Sequence, residues 1–336
     1  MAKYSSTTKK IYVVTGGAGF IGSAMVWNLN QLGIDRIWVV DELGIDDKWK
    51  NLRGLRYLDF VHKDDFIDLL DGKNVSKSIA AIIHMGACSA TTERDADYLM
   101  ENNFRYTQHL ALWSLKNKIR FLYASSAATY GDGSLGYSDD DKLTPTLLPL
   151  NMYGYSKQLF DTWVLKNKLQ NTIAGFKFFN VYGPNEYHKQ DMMSVICKAY
   201  TQIGESGKLK LFKSYKPEYG DGGQQRDFVY VKDVVEVMAW FLLNPRANGI
   251  FNLGTGQART WNDLAKATFM AMTKPVQIEY IDMPESIRDR YQYFTLADNT
   301  KLSKAGCKHK FMSLEDGVRD YVASYLSKVD NPYLGG

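Results

Sequence analysis

A tyrosine and a lysine four residues apart are the clearest candidates for proton chemistry in this sequence. Tyr153 and Lys157 lie in a segment with helical spacing, so both side chains point from one face of a helix. A free tyrosine has a pKa of about 10, and a nearby ammonium favours the phenolate that accepts a proton. Ser126, at the end of a predicted strand, is placed to hydrogen-bond the reacting oxygen. The set predicts an acid/base tyrosine assisted by a lysine and a serine.

A single Tyr-x-x-x-Lys pair is common by chance, so its interpretation depends on the sequence that precedes it. Thr15-Gly16-Gly17-Ala18-Gly19-Phe20-Ile21-Gly22 follows an apolar strand and leads into a helical pattern. The spacing of Gly16, Gly19 and Gly22 allows a tight turn, close approach to a pyrophosphate, and close helix–strand packing. The pyrophosphate then sits at the positive end of the helix. The strand–turn–helix context predicts a dinucleotide site, and an oxidised nicotinamide there would also favour the phenolate of Tyr153.

Charged residues after the second strand bear on which dinucleotide binds. Asp41 ends that strand about 20 residues beyond the loop, where a carboxylate binds the adenosine ribose hydroxyls of NAD. Lys48 and Lys63 could neutralise the 2′-phosphate of NADP, whereas Glu42 would repel it. These local residues leave the choice of cofactor open.

The elements that position these residues alternate along the first half of the chain. Helical patterns at residues 21–32 and 98–115 separate short apolar runs in the first half, and a further helix is predicted at residues 233–243. The apolar runs predict strands at residues 11–14, 37–40, 81–84, 121–124, 176–179, 228–231 and 250–253. This order predicts an α/β fold, a Rossmann-type doubly wound parallel sheet with helices on both faces. Residues 187–227 are expected to form loops around one helix. The predicted domains are residues 1–180 with 228–256, which bind NAD(P), and a smaller discontinuous substrate domain of residues 181–227 with 257–330.

Composition excludes several other classes of protein. The chain has 336 residues, 45% hydrophobic and 23% charged, with a net charge of +4 and no basic runs, which argues against nucleic-acid and membrane partners. Cys88, Cys197 and Cys307 are odd in number and far apart, as in proteins of a reducing compartment. The histidines and cysteines lack metal-ligand spacing, and His84 lies in a buried strand pattern typical of a structural role. We expect a cytoplasmic protein without a metal, whose first ten residues form a tail.

Several segments together resemble the ADP-heptose 6-epimerases, a family of extended short-chain dehydrogenase/reductases. The resemblance extends from residue 11 to about residue 326. The glycine loop, the Tyr153/Lys157 pair and the Arg226 segment are typical of the superfamily. Three segments indicate the heptose family more narrowly: Ala87-Cys88-Ser89, Glu186-Tyr187-His188-Lys189 and Arg290-Tyr291-Gln292.

The resemblance implies bound NADP, transient oxidation at C6″ of an ADP-heptose, and a second acid/base group at Lys189 beside Tyr153. It also implies a homo-oligomer. The cofactor residues it implies, beyond the loop, are Asp41, Glu42, Lys48, Lys63, Met85, Gly86, Ala87, Cys88, Ser89, Asn102, Lys157, Val181 and Lys189. Those it implies for the substrate are Ser126, Asn180, Asp191, Lys198, Phe212, Lys213, Ser214, Tyr215, Arg226 and Tyr291, with Arg226 suited to a diphosphate.

This chain departs from the family pattern at both ends of the expected site. Glu42 stands where the family usually has asparagine, Met85 where it often has glutamate, and Gln190-Asp191 where it often has Gly-Ser; about eight extra residues lie within residues 215–225. NAD therefore stays open beside NADP. Another nucleotide-sugar epimerase or a dehydratase is the alternative function, although Ala127-Ala128-Thr129 lacks the carboxylate pair of a dehydratase. A non-catalytic NAD(P) sensor is the remote alternative.

Overall fold

The computed structural model describes residues 10–72, 75–288, 291–328 and 330–336. Residues 1–9, expected to form a tail, and Arg290, part of one family segment, lie outside the described residues.

The strands of the described chain are Ile11–Thr15 (β1), Ile37–Asp41 (β2), Asp59–His62 (β3), Ile79–His84 (β4), Arg120–Ser126 (β5), Ala174–Phe178 (β6), Asn180–Tyr182 (β7), Leu209–Phe212 (β8), Gln225–Tyr230 (β9), Gly249–Leu253 (β10), Ala258–Thr260 (β11) and Ile278–Ile281 (β12). Seven of them form the main sheet, all parallel, in the order β10-β6-β5-β4-β1-β2-β3. The strand order reverses between β1 and β4. A crevice opens there at the carboxyl ends of the strands, where α/β sheets bind their ligands.

Helices cover the sheet and continue into the rest of the chain. The α-helices are Phe20–Gln31 (α1), Lys63–Gly72 (α2), Ala96–Leu99 (α3), Tyr106–Lys116 (α4), Met152–Lys166 (α5), Val195–Ser206 (α6), Val231–Leu243 (α7), Trp261–Ala271 (α8), Glu285–Arg288 (α9), Thr300–Lys304 (α10) and Leu314–Tyr321 (α11). A π-helical stretch, Met100–Arg105, joins α3 to α4, and a second, Val322–Leu326, follows α11. Short 3₁₀ helices lie at Asp47–Leu52, Ala127–Tyr130, Thr144–Thr146, Leu169–Asn171 and Tyr187–Met192.

Alternating strand residues fill two apolar layers, one on each face of the sheet. Val14 and Ile83 pack with buried residues of α1 and α7, whereas Val13 and Ile82 pack with those of α2, α4 and α5. Both faces of these strands are therefore buried, which is why the runs are continuously apolar. The doubly wound parallel sheet predicted from the sequence is confirmed.

Two small sheets lie outside the main one. β9 pairs with β7 in parallel and with β11 in antiparallel orientation, and β8 pairs with β12 in parallel. The segment 187–227 holds β8 as well as α6, so the prediction of loops around a single helix was incomplete. β10 belongs to the main sheet, whereas β9 does not. The division into two domains stays a prediction.

Among the described residues, no helix combines the length and the apolar character needed to cross a membrane.

Candidate active site

The glycine loop joins β1 to α1 in a conformation that side chains would prevent. Gly16 has a φ of +63°, and a Cβ there would lie 2.6 Å from the Cα of Gly86. A Cβ on Gly22 would lie 1.9 Å from the carbonyl oxygen of Gly16. The first contact brings the loop against the segment after β4, and the second brings α1 against the loop. The N-terminus of α1 therefore faces the crevice, where its free N–H groups attract anions.

The segment after β4 forms the wall opposite the loop. Asn103 accepts a hydrogen bond from the Cys88 amide (2.8 Å) and donates to the Cys88 carbonyl (2.9 Å). Its side chain also donates to the hydroxyl of Ser156 on α5 (3.1 Å). Asn103 lies in the π-helical stretch, a form that often marks functional sites. Asn103 therefore fixes the predicted cofactor segment 85–89 against α5.

Asp41 and Glu42 each hold one of the two lysines at the adenosine end. Asp41 accepts hydrogen bonds from the Ala18 amide (2.8 Å) and from Lys48 (2.6 Å). Glu42 pairs with Lys63 at 2.7 Å, and this contact lowers the pKa of the carboxyl. Lys63 also approaches Asn102 at 3.4 Å. Two carboxylates and two ammonium groups therefore lie where the ribose of a dinucleotide would lie.

Tyr153 and Ser126 meet at the start of α5. Asn151 caps that helix by accepting from the Gly154 amide (2.8 Å), which fixes its first turn at the end of β5. Burial raises the pKa of Tyr153, while a hydrogen bond with the Ser126 side chain acts to lower it. Tyr155, the other tyrosine in this turn of α5, is half exposed. The structure therefore brings Ser126 to the predicted tyrosine.

Lys157 is buried one turn further along α5. Its Nζ donates to the Ala124 carbonyl at 2.9 Å. Burial lowers its pKa to about 8, while Asp161 and Cys88 act to raise it. The main chain of β5 thus holds the ammonium of Lys157, and the effect of this ammonium on the pKa of Tyr153 stays a prediction.

Lys189 enters the same cavity from the segment Tyr187–Met192, in which two short 3₁₀ turns meet at a kink at Gln190. Its Nζ lies 5.6 Å from the centre of the Phe20 ring. Burial lowers the pKa of Lys189, and the carboxylate of Glu186 acts to raise it. Glu186 is itself buried and accepts from the Ser194 hydroxyl at 2.7 Å. Glu186 thereby anchors the segment that carries Lys189.

The next residue, Gln190, has φ 48° and ψ −117°. A side chain is strained in this left-handed region, and such strain concentrates at functional sites. The strained peptide lies directly beside Lys189.

Arg226 and Tyr291 pack together on the substrate side of the predicted site. The guanidinium of Arg226 lies 5.3 Å from the Tyr291 ring centre, and it donates to the carbonyls of Gln225 and Gln292. Tyr291 accepts from the Trp261 indole at 2.9 Å. Burial lowers the pKa of Arg226. Among the described residues, no carboxylate pairs with this buried cation.

The remaining predicted substrate residues lie mostly on the surface. Asn180 accepts from Thr295, and the main chain of Asp191 accepts from Lys198 at 2.6 Å. The rest are placed as follows: Phe212 contacts Tyr291 edge-on, Lys213 and Tyr215 both bind Asp282, and the Ser214 amide donates to Asp221.

Two adjoining cavities collect nearly all the predicted cofactor residues. One, of ≈ 400 Å³, is lined by the glycine loop, residues 85–89, Tyr153, Lys157 and Lys189. The other, of ≈ 300 Å³, is lined by Asp41, Glu42, Lys48, Lys63 and Asn102. Val181 lines neither.

A third cavity, of ≈ 820 Å³, is bounded by residues 91–94, 150–152 and Tyr291. Tyr291 is the single predicted substrate residue that lines one of these three cavities.

His188 and Asn103 are among the residues at the site that sequence reasoning missed. His188 lines the first cavity, contacts Asn51 at 3.1 Å, and has its pKa lowered to about 4 by burial. Its position beside Lys189 was the available signal. Asn103, which holds Cys88, had no signal because its neighbours follow an ordinary helical pattern. The predicted structural role of His84 agrees with its contacts to Thr15 (2.6 Å) and Thr107 (2.8 Å).

Comparison with known proteins places this site in a family context. Residues 12–254 match the NAD dependent epimerase/dehydratase family. An ADP-L-glycero-D-manno-heptose-6-epimerase of Nitratidesulfovibrio vulgaris is 60% identical over 96% of this chain and 100% of its own length. The enzyme of that name from Fusobacterium nucleatum is 51% identical over 95% of this chain and 99% of its own.

Solved structures share the fold at lower identity. The Helicobacter pylori ADP-L-glycero-D-manno-heptose-6-epimerase is 24% identical, with a TM-score of 0.77, over 96% of this chain and 99% of that one. The Thermus thermophilus UDP-glucose 4-epimerase, solved with NAD, is 23% identical, with a TM-score of 0.72, over 95% and 100%. These likenesses show that the fold of this chain is shared with both structures.

Proposed function

The chain belongs to the NAD dependent epimerase/dehydratase family, and from this premise we propose that it interconverts ADP-D-glycero-β-D-manno-heptose and ADP-L-glycero-β-D-manno-heptose. The observation that carries the proposal is the 60% identity to a relative of that name along its whole length. The meeting of Tyr153 and Lys189 on one cavity supports it.

The residues around the crevice fit a nicotinamide dinucleotide. Gly16 and Gly22 leave space that a Cβ would fill, and the N-terminus of α1 supplies N–H donors for a pyrophosphate. A bound nicotinamide supplies reversible hydride acceptance, which allows C6″ of the sugar to become a carbonyl carbon and to be reduced again on either face. Lys157, Met85 and Cys88 line the cavity where that ring would lie.

In the proposed reaction, Tyr153 and Lys189 are the groups that donate and accept protons. Burial raises the pKa of Tyr153, which keeps its hydroxyl proton available for donation. Burial lowers the pKa of Lys189, which makes its neutral, proton-accepting form easier to reach. Opposite shifts in two groups on one cavity are typical of an acid and a base. Because they come from different elements, α5 and the segment after β7, they could serve the two faces of the sugar carbon.

We propose NADP as the cofactor, with NAD as the alternative. Lys48 and Lys63 lie at the adenosine end and could exchange their carboxylate partners for a 2′-phosphate. Asp41 and Glu42 favour NAD, since they would repel that phosphate. Mass spectrometry of the nucleotide released on denaturation decides between them, and comparison of wild type with Glu42→Asn tests the residue that departs from the family pattern.

A dehydratase of the same family is the alternative function. The 3₁₀ helix Ala127–Tyr130 that follows Ser126 carries no acidic residue, which disfavours it. A 4-keto-6-deoxy product would support a dehydratase and contradict the epimerase. The homo-oligomer and the cytoplasmic location stay predictions, the first testable by sedimentation.

The test uses purified protein without added cofactor. Mixed with ADP-D-glycero-β-D-manno-heptose, it should yield both C6″ epimers by proton NMR, with no net change in nicotinamide absorbance. No conversion, even after separate addition of NADP⁺ and NAD⁺, would contradict the proposed substrate.

A further inference from the structure

A buried ion pair lies beneath the catalytic centre and takes no direct part in the proposed chemistry. Lys177 on β6 and Asp161 on α5 are completely buried, with 2.7 Å between Nζ and Oδ2. Asp161 also accepts from the hydroxyls of Ser125 (2.7 Å) and Tyr123 (3.0 Å) on β5. Residues of two strands, β5 and β6, thus donate to a single carboxylate on α5. A buried charge pair is costly to form, so its contribution to stability alone is a weak reason for its presence.

The second contact of Lys177 leads to Ser126. Its Nζ donates to the hydroxyl of Thr129 at 2.8 Å, and that hydroxyl donates to the main-chain carbonyl of Ser126 at 2.8 Å. The side chain of the same residue forms the hydrogen bond that acts to lower the pKa of Tyr153. The hydrogen bonds from the buried pair therefore end at the main chain of Ser126, whose side chain faces the acid/base tyrosine.

The geometry of α5 connects the pair to the same centre from the other side. Tyr153, Lys157 and Asp161 follow at intervals of four residues, so they lie along one face of the helix. Asp161 is held by β5 and β6, which fixes the rotation of that face towards the ends of both strands. The ion pair thus holds the tyrosine's helix and the serine's strand end together.

We propose that Asp161, Lys177 and Thr129 form a positioning device that keeps Ser126 within hydrogen-bonding reach of Tyr153. Only the turnover assay of this inference rests on the proposed function. Loosening the device should weaken the Ser126–Tyr153 bond, since the main chain at Ser126 loses its buried donor. Proton transfer at Tyr153 should then slow, because catalysis depends on the placement of the reacting groups.

Thr129→Val tests the device without breaking the ion pair. We expect kcat to fall on the order of tenfold, about 1.4 kcal/mol, with little change in KM, and Thr129→Ser to restore it. The matched control is Thr268→Val, which removes another fully buried hydroxyl that donates to a main-chain carbonyl, that of Leu264 at 2.9 Å in α8. A merely structural role predicts the same small effect on kcat from both valine variants.

Ionisation of Tyr153 provides a readout that needs no substrate. The difference in ultraviolet absorbance between each protein and the same protein carrying Tyr153→Phe gives the absorbance of this phenol alone. Ser126 at the end of β5 and Cys88 after β4 act on the pKa of Tyr153, and Lys157 and Lys189 line the same cavity. The Ser126 bond acts to lower the pKa of Tyr153, so Thr129→Val should move its titration to higher pH, while Thr268→Val should leave it unchanged.

The outcomes separate this inference from the proposed function. An inactive wild type would contradict the function, and the titration would still test the device. Equal titrations in wild type and Thr129→Val would overturn the inference, whatever the turnover. If Thr129→Val does not fold, Thr129→Ala removes the same hydroxyl, and the same shift to higher pH is required of it.

Discussion

At the scale of single residues, burial moves the pKa values of Tyr153 and Lys189 in opposite directions. Tyr153→Phe removes the phenolic proton and leaves the ring that packs beside Ser126. We expect epimerisation to fall about 10²–10⁴-fold, the usual contribution of a positioned acid/base group. Retained cofactor should be unchanged.

Turnover by NMR and nucleotide content after denaturation measure the two effects. Tyr155→Phe, two residues away on the exposed side of α5, is the matched control and should keep full activity. Near-normal turnover in Tyr153→Phe would remove this residue from the mechanism.

The sequence predicted some of these residues better than others, for a physical reason. Tyr153 and Lys157 lie on a regular helix, so their spacing determines their common face. Lys189 lies in a short 3₁₀ segment that bends at Gln190 and whose path depends on the buried contact between Glu186 and Ser194, so spacing alone could not place it. The contact of Asn103 with Cys88 likewise depends on tertiary packing.

At the scale of elements, the buried parallel strands were predictable because both of their faces are apolar. β3 was missed because it is a short edge strand with exposed ends, and β8 and β12 because each pairs with one neighbour in a two-stranded sheet. The small sheets depend on pairings between distant segments, which local periodicity does not encode.

The junction between the glycine loop and α1 gives a prediction for Gly22→Ala. A Cβ would lie 1.9 Å from the Gly16 carbonyl oxygen, so α1 must move away from the loop that receives the pyrophosphate. We expect loss of retained cofactor and a lower melting temperature. Gly204→Ala is the matched control, since it replaces a helical glycine of α6 with nothing within 4 Å. That change should raise stability by about 0.5–1 kcal/mol. Retained cofactor in Gly22→Ala would contradict the prediction.

At the scale of the whole molecule, His84 couples stability to pH. Burial lowers its pKa to about 3, whereas an imidazole in the unfolded chain has a pKa of about 6.5. Between these values the unfolded state binds the additional proton, so stability falls as the pH falls, by up to about 1.4 kcal/mol per pH unit from this group. His84→Gln should reduce this loss while keeping polar contact with Thr15 and Thr107.

Urea unfolding between pH 7 and pH 4 measures the slope of stability against pH. His109→Gln, at an exposed histidine that contacts Asp71, is the control and should retain the wild-type slope. Identical slopes in wild type and His84→Gln would show that His84 does not set the acid sensitivity of the fold.

The left-handed backbone at Gln190 implies that a change which increases stability here decreases turnover. A glycine there would adopt φ 48° without side-chain strain, and we expect Gln190→Gly to raise the free energy of unfolding by about 1 kcal/mol. The same change would give the peptide beside Lys189 more freedom, so kcat should decrease as the melting temperature rises. Calorimetry and turnover on one sample measure both, and a gain in both would show that this strain serves no catalytic purpose. A laboratory selecting this chain for heat resistance alone would thus be expected to recover glycine at position 190, at the expense of speed.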